Sequence, residues 1–234
     1  MATTVDTSYP DIRLRLERQV LGRLDVFLRE MAEDILRLHD AGQTARIYDN
    51  FMAPRPGAER WGDLLAGEIA EMNGRIAYEV GSRVAGDFGL DVPRQWSSRG
   101  MQNYLQDVSQ QMGYGFSELV ERGLRDFTDR ASLESFLGEV RGSMRERLAR
   151  EMVGTSANFA SFDAAERAGV RFKQWRVTSG NPRPEHARLN GEVRPLGEPF
   201  SNGMAYPRGN GPPGQTANCK CVMVLARAGG GDAG

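Results

Sequence analysis

Over most of the first 150 residues apolar side chains recur every three or four positions, a spacing that predicts a series of amphipathic helices. From about Pro10 to Asp40 the stripe is Val20, Leu24, Phe27, Met31, Ile35 and Leu38, widened by Leu14 and Leu21. A helix this long and charged fits two roles, packing in a bundle or extending to grip a neighbour. His39, near its C-terminal end, reads as a surface group that complements the helix dipole. Trp61 to about Val84 forms a second helix on Leu65, Ile69, Met72, Ile76 and Val80. Gly67, Gly74 and Gly81 recur along one face of it, which suggests close approach of another backbone. A third helix runs from Arg99 to Gly123 through Met101, Leu105, Val108, Met112 and Leu119, with Gly113 and Gly115 as places to bend. The fourth spans Asp129 to Arg150, with Thr128 or Ser132 as its cap. Loops are expected at 53–57 and 87–98, where Pro and Gly gather, and residues 1–10 look frayed.

Gly154-Thr155-Ser156 reads as a break and an N-cap for a helix from about Ala157 to Ala168, stopped by Gly169. Beyond Gly169 the pattern changes. Val170 to Thr178 reads as a strand, Pro184 to Asn190 as two helical turns ended by Gly191, and Asn218 to Ala226 as a final strand. Loops rich in proline lie between. The chain is therefore expected to be α+β. A mainly helical body covers residues 1–154, a small α+β, loop-rich module covers 155–227, and a disordered tail covers 228–234.

Composition changes this picture little: 40% hydrophobic and 26% charged residues suit a chain that buries a core. No apolar run approaches the length of a membrane span, so no membrane partner is expected. Met1 to Pro10 lack the basic and apolar regions of a signal peptide, and two cysteines make no disulfide framework. Charge is more informative. Residues 1–166 carry 20 basic and 27 acidic side chains, whereas 167–221 carry nine basic and three acidic. The basic end is suited to phosphate or to an acidic protein surface. Arg183, Arg188, Arg194 and Arg208, all in turns or loops, are the candidate contacts to DNA backbone or an acidic surface.

The scarce soft ligands fall in one window, with His186, Cys219 and Cys221 all between Trp175 and Val224. On a strand the two cysteines share a face at about 6–7 Å, too far for an easy disulfide. Together the three side chains supply three of the four ligands of a tetrahedral zinc site, with Glu185, Asn218 or water as the fourth. The CxC spacing is unusual for zinc, and two buried thiols beside a hydrogen-bonded histidine is the preferred reading. No metal or cofactor is therefore expected. The zinc-deaminase pattern fails because Glu185 precedes the histidine and the cysteines are not CxxC. A Cys–His nucleophile pair beside Lys220 lacks an orienting third group, and no enzymatic activity is expected.

The array Trp175…Arg183-x-x-His186-x-x-Leu189-x-Gly191…Phe200…Pro207…Asn218-Cys219-x-Cys221 resembles the C-terminal motif of the phage Mu F-like minor head proteins, also called phage head morphogenesis proteins. The helix from Thr155 to Ala168 with its Gly169 stop fits the same pattern, so the likeness covers about 75 residues. It departs at Ser179 and Asn181, where the family commonly has an Asp and an extra Arg. The resemblance implies a structural virion component of a tailed phage or prophage, present inside the head near the portal vertex and in host cytoplasm during assembly. Its implied partners are the portal protein, other head proteins and packaged double-stranded DNA, in procapsid assembly and genome packaging or exit. Two alternatives stand beside it: a non-specific DNA-binding virion protein, and a zinc- or thiol-dependent enzyme or toxin-like effector.

Overall fold

The computed structural model describes residues 3–47, 61–90, 99–209 and 211–227. The loop expected at 53–57, most of the 87–98 connector and the 228–234 tail lie outside the described residues. The chain is mainly helical with a small antiparallel sheet, as its periodicity suggests. The long elements are α1 (Pro10–Asp40), α2 (Trp61–Asp87), α3 (Arg99–Arg125), α4 (Arg130–Glu139) and α5 (Arg145–Arg167). Strand β2 (Phe172–Arg176), helix α6 (Pro184–Leu189), strand β3 (Val193–Pro195), the short α7 (Pro213–Thr216) and β4 (Val222–Arg227) follow. A first strand, β1 (Thr3–Val5), pairs antiparallel with β4, and the sheet order is β1-β4-β2-β3. The frayed N-terminus expected from sequence is thus corrected. Thr7 beyond β1 is fully buried, accepts the amide of Leu225 and donates to the carbonyl of Met223.

Two compact units emerge, and they are not consecutive in sequence. One comprises Met1–Leu16, Gly74–Gln102 and Glu151–Gly234; the other comprises Glu17–Asn73 and Asn103–Arg150. The last segment begins at Glu151, close to the expected boundary at 154/155, but it does not form a unit by itself. The residues of the C-terminal module share their unit with the N-terminal strand and a stretch of α2.

In the second unit the 3.6-residue period sets the core, with two corrections. On α1 the buried line is Val20, Leu24, Leu28, Met31, Ile35 and Leu38, while Phe27 meets Trp61 edge-on at 5.5 Å. On α3 the buried line is Leu105, Ser109, Phe116, Val120 and Leu124, one step round the helix from the expected Val108, Met112 and Leu119. Ser109 holds this position by donating to the Leu105 carbonyl and accepting from the Asn73 amide at 2.9 Å. Gly113 is a contact rather than a bend: a Cβ there would lie 2.8 Å from the Ala66 Cα. At Gly67 and Gly74 of the expected glycine stripe on α2 the same test meets nothing within 4 Å. Gly113→Ala should therefore lower stability by about 1–3 kcal/mol in urea unfolding, although Ala is favoured over Gly in a helix by about 1 kcal/mol. A variant as stable as wild type would show that the backbones part at no cost.

Asp129 caps α4, accepting from the Ser132 amide at 2.8 Å while Ser132 accepts from the Asp129 amide. That backbone bond holds the Asp129 carboxyl below its usual range. The helical ladder is disturbed at a π-turn, Val140–Met144, where Gly142 leaves helical geometry (φ −97, ψ −105). The break expected from sequence at Gly154 is absent: α5 runs through it to Arg167. Gly169 (φ 64) stops the chain as expected, with the amide of Val170 bonded back to Ala165.

Candidate functional site

The sheet and the loops after it gather most of the motif residues into one place. Trp175, Leu189, Phe200, Met204, Cys219 and Cys221 form one buried cluster. His186, 2% exposed, joins it edge-on to Trp175 at 5.5 Å, and Phe200 meets the indole at 5.2 Å and 85°. Local backbone explains how the sequence builds this. Alternation along β2 turns Lys173 and Trp175 inward. Gly191 (φ 88) reverses the chain after α6, so that its amide reaches the Trp175 carbonyl and Asn190 Oδ1 takes the Val177 amide. Pro184 opens α6 at a position where no amide hydrogen is needed, and this short helix carries His186 and Leu189 to the same buried side.

Cys219 and Cys221 precede β4 rather than lying on it as expected. Asn218, in left-handed geometry (φ 55), makes the turn into them. Their backbone is pinned at three successive carbonyls. Arg208 Nε donates to Cys219 at 2.6 Å, Thr178 Oγ1 to Lys220, and Asn158 Nδ2 to Cys221 at 3.1 Å. The ligand atoms of His186, Cys219 and Cys221 all lie within 4.8 Å of one another, with Cys221 Sγ 3.6 Å from His186 Nδ1. Both cysteines are free thiols, and the group includes no carboxylate, so Glu185 does not complete it. Cys219 Sγ accepts the Cys221 amide at 3.4 Å. Hydrogen bonding from Cys221, opposed by burial and helped by the nearby Arg208 charge, pulls the Cys219 thiol below its usual range. Its partner Cys221 is pushed up, first by its hydrogen bond to Cys219, then by burial and by the charge of the neighbouring thiolate. The Trp175 indole N–H is near enough to act on Cys221, yet it has no acceptor in hydrogen-bonding geometry.

Of the arginines expected to face DNA, Arg208 is spent inside the fold, while Arg183 and Arg194 are engaged at its surface. Arg208, 8% exposed and at φ 67, also reaches the Glu151 carbonyl at 3.5 Å. Arg183 Nη2 donates to Ala217 at 2.7 Å and Nη1 to Gln215, and Arg194 pairs with Glu192 at 2.7 Å. Only Arg188 of the four is exposed on α6 with its charge directed at neither a carbonyl nor a carboxylate in these bonds. Gly154 explains the depth of Arg208. A Cβ at 154 would sit 2.8 Å from the guanidine Nε, so the residue read as a helix break makes room for a buried cation.

Three polar residues essential to this arrangement were not singled out by sequence. Asn158, fully buried on α5, makes four hydrogen bonds: to the carbonyls of Pro207 and Cys221, from the Met223 amide and from Arg13. Thr7 ties the chain ahead of α1 to Met223 and Leu225 on β4. Lys173, fully buried, donates to the carbonyls of Leu196 and Ala205 at 2.7 Å each and lies over the rings of Phe162 and Phe200. Burial pushes its ammonium down to about 8 from an ordinary 10.5. Between those values the unfolded chain holds a proton that the folded chain has released, so stability rises with pH through the window; below pH 8 the burial cost is carried in full. The expected result is that wild type gains stability over Lys173→Met as pH goes from 8 to 10.5 in denaturant titrations. Parallel curves for the two proteins would count against a buried ammonium.

No helix among the described residues is long and apolar enough to cross a membrane. The fold and the cluster define a helical protein with a small α+β part around a buried His–Cys–Cys group. No family model matches the chain, and neither a curated protein nor a solved structure matches it.

Proposed function

We propose that this chain is a minor head protein of a tailed phage or prophage, a structural part that joins the portal during procapsid assembly and has no enzymatic step. One observation carries the reading. Residues matching the Mu F-like array, spread along the chain from Trp175 to Cys221, close into a single buried cluster rather than lying on separate surfaces. Arg183, Gly191, Pro207 and Asn218 brace it through backbone bonds or turns. An array whose members all serve one local fold behaves as a module signature. With Cys219 and Cys221 3% and 4% exposed, nucleophilic attack on a substrate is unsupported. Arg208 is buried and Arg183 and Arg194 bond the module's own groups, which weakens the case for a DNA-contacting set of arginines.

The test is to mix purified portal rings with the purified chain, sediment the mixture at high salt and image the pellet. A stoichiometric complex that survives salt is expected. Failure to bind portal, together with DNA retention that falls steeply with salt, would favour the genome-binding alternative.

A further inference from the structure

We infer that His186, Cys219 and Cys221 hold a divalent metal ion that prefers nitrogen and sulfur, zinc being the leading candidate, through imidazole Nδ1 and two thiolates. Geometry is the first support. With zinc at its usual distances from nitrogen and sulfur, a tetrahedral N–S edge works out at about 3.6 Å. Cys221 Sγ and His186 Nδ1 are 3.6 Å apart, and Cys219 Sγ closes the triangle within 4.8 Å. To reach the sulfur–sulfur edge of such a tetrahedron, about 3.8 Å, Cys219 Sγ would have to move by about 1 Å at most.

The surroundings are the second support. Metal ligands are held by outer partners, here at the backbone, whereas His186 Nε2 is buried without one. Here the carbonyls of Cys219, Lys220 and Cys221 are each held by a different side chain, and the Cys221 amide already points at Cys219 Sγ. The Trp175 N–H, buried beside Cys221 without an acceptor in bonding geometry, would gain one in a metal-bound thiolate, which accepts more strongly than a thiol. Charge is the third. A doubly charged cation and two thiolates sum to zero, so the site is buried without a net charge, and binding releases both thiol protons to solvent. A water completes the tetrahedron, as in other sites with three protein ligands. Aromatic walls from Trp175 and Phe200 shield the group.

The test uses the full chain, expressed with zinc in the medium and purified without chelator. Elemental analysis should give one zinc per chain. Chelation should lower the melting temperature, and added zinc should restore it. Cobalt in place of zinc should show thiolate-to-cobalt charge transfer and the strong visible bands of four-coordinate cobalt. His186→Ala, Cys219→Ser and Cys221→Ser should each lose stoichiometric zinc on dialysis. Because such variants can fail to fold, the wild-type cobalt spectrum is decisive by itself. A wild-type chain without stoichiometric zinc, or a cobalt form without the charge-transfer band, overturns the inference. Portal binding is read separately, so either proposal can fail while the other stands.

Discussion

Trp175→Ala should lower the unfolding free energy by about 3–5 kcal/mol, the range for removing a fully enclosed large aromatic side chain. The indole has no exposed surface and meets both His186 and Phe200 edge-on, within the cluster that includes both cysteines. Its removal leaves a void that these neighbours cannot close without moving. The His186 ring is tied to α6 and Phe200 to the Met204 carbonyl. Edge-on ring contacts add to the loss, since each is worth about 0.5–1.5 kcal/mol beyond burial. Trp175→Phe keeps a ring in place and should lose about half as much. Urea unfolding followed by circular dichroism reads both. A loss below about 1 kcal/mol for the alanine variant would mean the cluster is not the core of its unit.

Much of the helical architecture is written in the apolar period, because helices that bury large side chains repeat them every three or four residues. Thus Leu65, Ile69, Met72, Ile76 and Val80 are all buried on α2, as their spacing requires. The period misleads where small or polar residues occupy core positions. Ser109 and Gly113 sit on the buried line of α3, and reading only large apolar residues rotates the face toward Leu119, which is 40% exposed. On α1 Leu14 is 58% exposed while Leu16 and Leu28 are buried. The same cause hid α5. Its inward face is Ala157, Ala160, Ala164 and Ala165 with Ser156, Asn158 and Ser161, so Gly154-Thr155-Ser156 resembled a helix boundary. Within the site, the gathering of His186 with Cys219 and Cys221 was legible because soft ligands are scarce and clustered in sequence. The bonding of Arg183 and Arg208 to the module's own carbonyls was not. An arginine in a loop looks solvent-bound until the carbonyls it serves, at Ala217 and Cys219, are placed.

Asn158→Ala should cost about 3 kcal/mol or more, comparable to the loss of a large core side chain although only a few atoms are removed. The reason is what is left behind. The carbonyls of Pro207 and Cys221 lose their side-chain donor, the Met223 amide loses its acceptor, and Arg13 loses one of its partners. Each buried group stranded in this way costs about 1–3 kcal/mol, and water cannot readily reach a residue with no exposed surface. Asn158→Asp separates the two sides of the amide. Aspartate still accepts from Met223 and Arg13, but it turns an oxygen toward two carbonyl oxygens where Nδ2 donated. If the donor side dominates, Asp should be as damaging as Ala at neutral pH and recover part of the loss at low pH, where a protonated carboxyl supplies one O–H. If the acceptor side dominates, Asp should fall near wild type throughout. The links from Asn158 to both Pro207 and Cys221 favour the first outcome: one donor amide joins the loop before Arg208 to the chain at Cys221, and an acceptor cannot do that.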